Sequence, residues 1–228
     1  MKIQGVISDM DGVILDSEKL YVRFWCEAGR FYGFPMEEKH ALSIRSMARP
    51  LASAYHFLGN KKEARSILQV GIFQHTVILM NLLSIYLGLC LDNAETFEET
   101  GRRALAIAGA FNLNKLHPGI ILPLYFTIAQ GYMKLGNSEK ALKTLEKYTQ
   151  LATSNIYPLN FHGDEYFDLL DGWLENTLTL GSDMPRNQMM MQKSVSESII
   201  NCKVFEPLKD NVQFQNMIKR LKTLEENQ

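Results

Sequence analysis

The chain is poor in the residues and patterns that mark several large classes of protein. It holds only three cysteines, Cys26, Cys90 and Cys202, far apart and without a CxxC pair. An odd, scattered set fits buried thiols in a reducing compartment and argues against a disulfide framework. An excess of positive charge is missing too: Lys and Arg number 24 against 25 Asp and Glu, a net charge of −1 over 228 residues. The balance holds on both sides of residue 50, with seven basic and seven acidic residues before it and 17 and 18 after it. That evenness argues against direct nucleic-acid binding. Long apolar runs are also lacking. The longest candidate, Val77 to Leu91, contains Asn81 and Ser84 and stops at Asp92, so a buried helix is expected there rather than a membrane span. The opening MKIQGVISDMDG reaches Asp9 before a signal-peptide apolar region could form. There is no glycine-rich phosphate loop, and neither His56 nor His75 has a metal-ligand neighbour at i+3 or i+4. A cytoplasmic protein with no membrane partner is expected.

What remains is 46% hydrophobic and 21% charged, the make-up of a globular chain able to bury a core. Two stretches carry information. Residues 3 to 9, IQGVISD, form an apolar strand candidate ending in a carboxylate, followed by Met10-Asp11-Gly12-Val13 and then Asp16-Ser17-Glu18. Two carboxylates at i and i+2 just past a strand both project toward one ligand. One can attack phosphorus while the other donates a proton to the leaving oxygen. Magnesium, which prefers oxygen ligands, would offset the phosphate charge and hold the pair together. Gly12 permits the tight exit from the strand.

The run Asp9-Met10-Asp11-Gly12-Val13 with Asp16-Ser17-Glu18 resembles the first motif of the haloacid-dehalogenase-like phosphohydrolases and phosphomutases. Ser8 departs from the aromatic residue common there. The resemblance implies Asp9 as nucleophile and Mg2+ ligand, and Asp11 as general acid/base that also meets the metal through its backbone. A helical pattern over Leu20, Val22, Phe24, Trp25 and Phe31 ends at Gly33-Phe34-Pro35, where that family begins a small cap. Arg45 would lie within it, as a phosphate contact or, more simply, a solvated charge.

The remaining parts of such an enzyme are not in sequence order. Beyond residue 50 no series of β-branched runs alternates with helices, so the parallel sheet is missing. Thr179 or Ser182, then Lys193 and Asp210, follow no convincing strand. Gly163-Asp164 with Asp168 imitates the last acidic motif but precedes them. The catalytic set is incomplete.

From about residue 50 the pattern is helix after helix. Ala54-Tyr55-His56-Phe57-Leu58-Gly59-Asn60-Lys61-Lys62-Glu63-Ala64 resembles the stretch from Gly131 to Ala141, with Tyr, Leu-Gly-Asn and Ala recurring at an offset of 77. Two units of roughly 38 residues would account for it. In the second copy Tyr125, Ile128, Ala129, Tyr132, Ala141 and Leu145 match a tetratricopeptide pattern: small residues let two helices approach, and Tyr132 and Leu145 fill the space beside them. Gly136 is expected to cap one helix and Asn137 to start the next. Between the copies, Leu82, Leu83, Tyr86 and Leu87 are expected on one apolar face, and Phe97, Ala104, Leu105 and Ala108 on another. Pro118 and Pro123 mark the entry to the following helix. Residues 162 to 186 read as a helix, a Gly/Pro break and a helix, and Phe205, Leu208, Phe214, Ile218 and Leu221 as a last helix or helix pair. Met189-Met190-Met191 reads as an ordinary helix with one methionine buried.

Residues 51 to 228 thus resemble the sensor half of bacterial transcription regulators that place a helix-turn-helix domain before tetratricopeptide-like repeats. The reading is a mainly α fold: a haloacid-dehalogenase-like segment over 1–50, incomplete, then a tetratricopeptide-like helical repeat domain over 51–228. The resemblance implies a sensor or regulatory protein with a peptide or protein partner in its groove, and leaves a homo-oligomer open. The alternative is a Mg2+-dependent phosphohydrolase or phosphomutase using Asp9 and Asp11.

Overall fold

A computed structural model of the chain describes residues 48–177 and 188–226, together with positions 26, 27, 30, 33 and 37. The expected strand over 3 to 8, the Asp9 and Asp11 pair, Arg45, Thr179 and Ser182 lie outside the described residues. Among the described residues the fold is mainly helical and holds no strand. The chain divides into two compact units, residues 1–60 and 61–228. Helix α1, Ala48–Phe57, therefore spans the expected joint near residue 50 and belongs to the first unit.

Helix α1 ends in a turn whose Gly59 has φ +81. The Gly59 N–H donates to the His56 carbonyl at 3.0 Å and the Asn60 N–H to the Tyr55 carbonyl at 2.9 Å. These two bonds are the Schellman pattern, which satisfies orphan carbonyls at a helix end and favours glycine for its left-handed residue.

The second unit holds α2 (Lys61–Leu89), α3 (Ala94–Ala110), the short α4 (Leu113–Leu116), α5 (Pro118–Lys134), α6 (Ser138–Ala152), α7 (Leu170–Thr177) and α8 (Gln188–Ile200). A 3-10 helix over Lys203–Leu208 and α9 (Val212–Glu226) complete it. The α5–α6 pair repeats the turn chemistry of α1 at the 77-residue offset. Gly136 has φ +75, its N–H donates to Met133 at 3.1 Å, and the Asn137 N–H donates to Tyr132 at 2.8 Å. Gly136 sits one residue past the cap Leu135, and the Asn137 side chain accepts from the Lys140 N–H at 3.0 Å, opening α6 as expected.

Packing in the second unit follows from small residues meeting large ones. Ala129 and Ala141 are fully buried, Leu145 and Tyr125 nearly so. Gly131 lets the ring of Phe97 on α3 rest against the α5 backbone: a Cβ there would collide with the Phe97 ring. Phe97 is 1% exposed and meets Tyr132 edge-on at 5.4 Å between centroids. One core joins α2, α3, α5, α6, α8 and α9 around Met80, Leu87, Ile121, Leu124 and Leu221. A smaller cluster gathers Phe73, Leu116, Phe167, Leu170 and Leu174.

Four sequence expectations are corrected here. Helix α2 runs unbroken for 29 residues from Lys61, where a buried helix was expected only over Val77 to Leu91. The physical reason is the lack of a stop signal: it contains no proline, and its only interior glycine before the last turn is Gly71, itself buried. By contrast, α3 is ended by Asn112 in the left-handed conformation (φ +51), and Pro118 opens α5. Second, the helix is not buried all round. Met80 and Leu87 are inaccessible, yet Leu82 is 59% and Tyr86 49% exposed, so only Leu87 of the expected face is fully interior. Third, residues 162 to 169 are an irregular loop, and the helix starts at Leu170. The Asp164 carboxylate accepts from the Tyr166 and Phe167 N–H groups, both at 3.0 Å, a local bonding that competes with helix. Pro123 likewise stands inside α5 rather than at its entry.

Candidate peptide-binding clefts

Of the polar groups that a phosphatase site would need, Lys193, Asp210, Asp164 and Asp168 lie among the described residues. Lys193 lies on α8 facing Glu197 at 4.0 Å, and Asp210 is exposed in the turn before α9. Asp168 is committed elsewhere: it receives the Arg65 guanidinium at 2.9 Å and the Gln69 amide at 2.6 Å. The Gln69 amide and the Arg65 guanidinium hold its carboxyl below the usual range. Gln69, buried on α2, also donates to the Tyr166 carbonyl at 2.9 Å and accepts from the Leu169 N–H at 2.9 Å. One side chain thereby pins the 164–169 loop to α2. Sequence inspection assigned no role to Gln69, because a lone glutamine in an apolar helix carries no pattern. Among the described residues no group of three His, Cys, Asp or Glu side chains could hold a metal ion.

Two clefts among the described residues could seat a ligand. The first lies between α8, the 3-10 helix and α9 and measures about 370 Å³. Its floor is apolar, with Phe205, Phe214 and Ile218, and its rim carries Lys209, Lys219 and Lys222. The floor is placed by local chemistry. Pro207 and the 3-10 turn drive Phe205 inward to 1% exposure, within 6.3 Å of the Phe214 ring. Asn211 caps α9, its side chain accepting from Gln213 N–H at 2.9 Å and Phe214 N–H at 3.2 Å, which fixes where Phe214 points. Lys209 is paired with Glu206 at 2.6 Å. Lys219 and Lys222, at i and i+3 on α9, are exposed and share one helix face. The apolar floor residues were legible from periodicity; the lysine rim was not singled out, although its i, i+3 spacing was the available signal.

The second cleft, about 530 Å³, opens where the start of α5 meets the end of α6 and the loop beyond, lined by Asn114, Lys115, Leu151, Ser154, Tyr157 and His162 among others. Tyr157 carries a buried hydroxyl with no hydrogen-bond partner, and burial pushes its phenol up to about 12. Nearby, the imidazole of His117 lies against Phe73 at 6.4 Å and Phe161 at 4.7 Å between ring centroids. Burial among these rings lowers its pKa to about 4, so it is neutral at physiological pH.

Of the methionine triplet, Met189 and Met190 are exposed and Met191 is half-buried. Cys26 and Cys90 are buried, Cys202 is half-buried, and all three thiols are free. Among the described residues one helix, Lys61–Leu89, is long and apolar enough to cross a membrane by length and composition, with 28% of its apolar window buried in the fold. The chain matches no protein-family model, no curated protein and no solved structure.

Proposed function

We propose that residues 51–228 form a tetratricopeptide-like array that binds a peptide or a protein segment, giving the chain a sensor or regulatory role in the cytoplasm. The observation that carries this reading is the cleft between α8, the 3-10 helix and α9. Its apolar floor takes a bulky side chain, and Lys219 and Lys222 stand beside it without an anionic partner among the described residues. Apolar contact supplies affinity and the lysine pair selects an acidic flank. The repeat reading is supported by the Schellman turns at Gly59 and Gly136, which share sequence and hydrogen bonding across 77 residues. Fluorescence anisotropy with labelled Phe/Leu peptides flanked by Glu, against the same peptides flanked by Lys, tests it. Preferential binding of the acidic set, lost in Lys219→Glu/Lys222→Glu, is the expected result. Equal and negligible binding of both sets sinks the reading.

A second reading rests on Asp9-Met10-Asp11-Gly12-Val13 and Asp16-Ser17-Glu18: a Mg2+-dependent phosphohydrolase or phosphomutase in which Asp9 attacks phosphorus and Asp11 moves the proton. Magnesium-dependent hydrolysis of para-nitrophenyl phosphate, present in the wild type and lost in Asp9→Asn, would support it. Background rates in both leave the motif without general phosphatase activity.

A further inference from the structure

The least expected surface of the second unit is the outward face of α2. Leu68, Ile72, His75, Leu79, Leu82, Tyr86 and Leu89 follow one another in alternating steps of four and three residues. That is the a/d spacing of a seam that packs against another helix. All seven are exposed, and Ile78 and Ile85 widen the stripe at 55% and 65% exposure. From Ser66 to Leu91 the chain carries no Lys, Arg, Asp or Glu. The opposite face of the same helix, through Phe73, Met80 and Leu87, is interior to the fold. A helix with one face in a protein core and the other uncharged is half of an interface rather than a membrane span.

We propose that this face pairs with the same face of a second copy, the two α2 helices running antiparallel about a two-fold axis near Ile78 and Leu79. Area supports a second copy as the occupant. Eight large apolar side chains on this face are each 36% to 73% exposed. At about half exposure they present on the order of 700 Å² per copy, and roughly 1,400 Å² between two copies, within the range of stable interfaces. Charge sets the direction. The exposed Lys61 and Lys62 begin α2, and the exposed Asp92 and Glu95 follow its end. Antiparallel pairing brings each basic end to the partner's acidic end and opposes the helix dipoles, whereas parallel pairing stacks lysine on lysine. The seam is also nearly symmetric about its centre, with Leu68 opposite Leu89 and Ile72 opposite Ile85 and Tyr86.

Sedimentation equilibrium of the full chain between about 1 and 100 µM provides the test, together with Leu82→Glu/Ile85→Glu and, in a Cys202→Ser background, Leu79→Cys and Leu68→Cys. The wild type is expected at twice the 26.0 kDa monomer mass. The double-glutamate variant is expected at the monomer mass with unchanged far-ultraviolet circular dichroism. Leu79→Cys should cross-link to its own copy under a short bismaleimide, while Leu68→Cys should cross-link only when mixed with Leu89→Cys. A monomeric wild type overturns the proposal, as does a double-glutamate variant that stays dimeric. A monomeric wild type whose double-glutamate variant unfolds would show the stripe covered by the chain's own residues, also against it. Cross-linking of Leu68→Cys to itself would replace the antiparallel pairing with a parallel one and overturn the geometry.

Discussion

Lowering the pH from 7.5 to 5.5 should weaken the fold mainly through His117. Its imidazole is held between Phe73 and Phe161, and burial depresses its pKa to about 4. In the unfolded chain the value returns to roughly 6.5. Because the folded pKa is the lower one, the unfolded chain binds the proton first. The stability tied to neutral His117 is complete above about pH 6.5 and is lost progressively as pH falls toward 4. With about 1.4 kcal/mol per pH unit, the loss is roughly 1.4 kcal/mol at pH 5.5 and approaches 3 to 4 kcal/mol below pH 4. Urea unfolding at the two pH values reads this directly, and the carboxylates held low by their partners, Asp164 and Asp168, stay ionised across that window. His117→Gln removes the titration, so its midpoint should move less between pH 7.5 and 5.5 than that of the wild type. Identical pH slopes in the two proteins would falsify the claim that burial of His117 sets this sensitivity.

Further predictions concern packing at single positions. Gly131→Ala gains about 1 kcal/mol of helix propensity but drives a methyl into the Phe97 ring, for a net destabilisation of about 1 to 2 kcal/mol that Phe97→Leu should partly rescue. Gly109→Ala on α3, where a methyl meets nothing within 4 Å, should instead stabilise by up to about 1 kcal/mol in the same chemical denaturation assay. Gln69→Leu leaves the Leu169 N–H and the Tyr166 carbonyl without their partner, costs about 2 to 4 kcal/mol, and should speed proteolytic cleavage within residues 160–169. Asn137→Ala removes the side-chain bond to the Lys140 N–H and should lower stability by about 1 kcal/mol, read as a shift in the urea midpoint.

The legible parts of the fold were those written in local chemistry. Leu-Gly-Asn at 58–60 and 135–137 named both turns, because glycine readily takes the left-handed conformation that closes a helix with the Schellman bonds. Phe97, Ala104 and Ala108 gave away the buried face of α3 by their spacing. What could not be read depended on distant partners. The exposed side of α2 could not be read because its apolar residues cover more than one face, and only the packing of Phe73, Met80 and Leu87 separates the inner face from the outer one. The 162–169 loop looked helical because the pull of Asp164 on the Tyr166 and Phe167 N–H groups, and of Gln69 on the chain beyond, is invisible to periodicity. In the first cleft, Phe205 and Phe214 were readable as apolar positions, but that they line a cleft together with Lys219 and Lys222 follows from where the 3-10 helix and α9 meet.

The continuity of α2 has a mechanical consequence. At 1.5 Å per residue its 29 residues form a rod of about 43 Å. Along that rod it touches α3, α5 and α7. In an array of separate hairpins each unit melts with its own intrinsic stability plus a term from its neighbours, and local opening at one end need not reach the other. A single helix crossing several stations removes that independence. The amide protons along Lys61–Leu89 should therefore exchange as one cooperative block, so that a disturbance at the Phe73 end is felt at the Leu87 end as a loss of the same rigid spine.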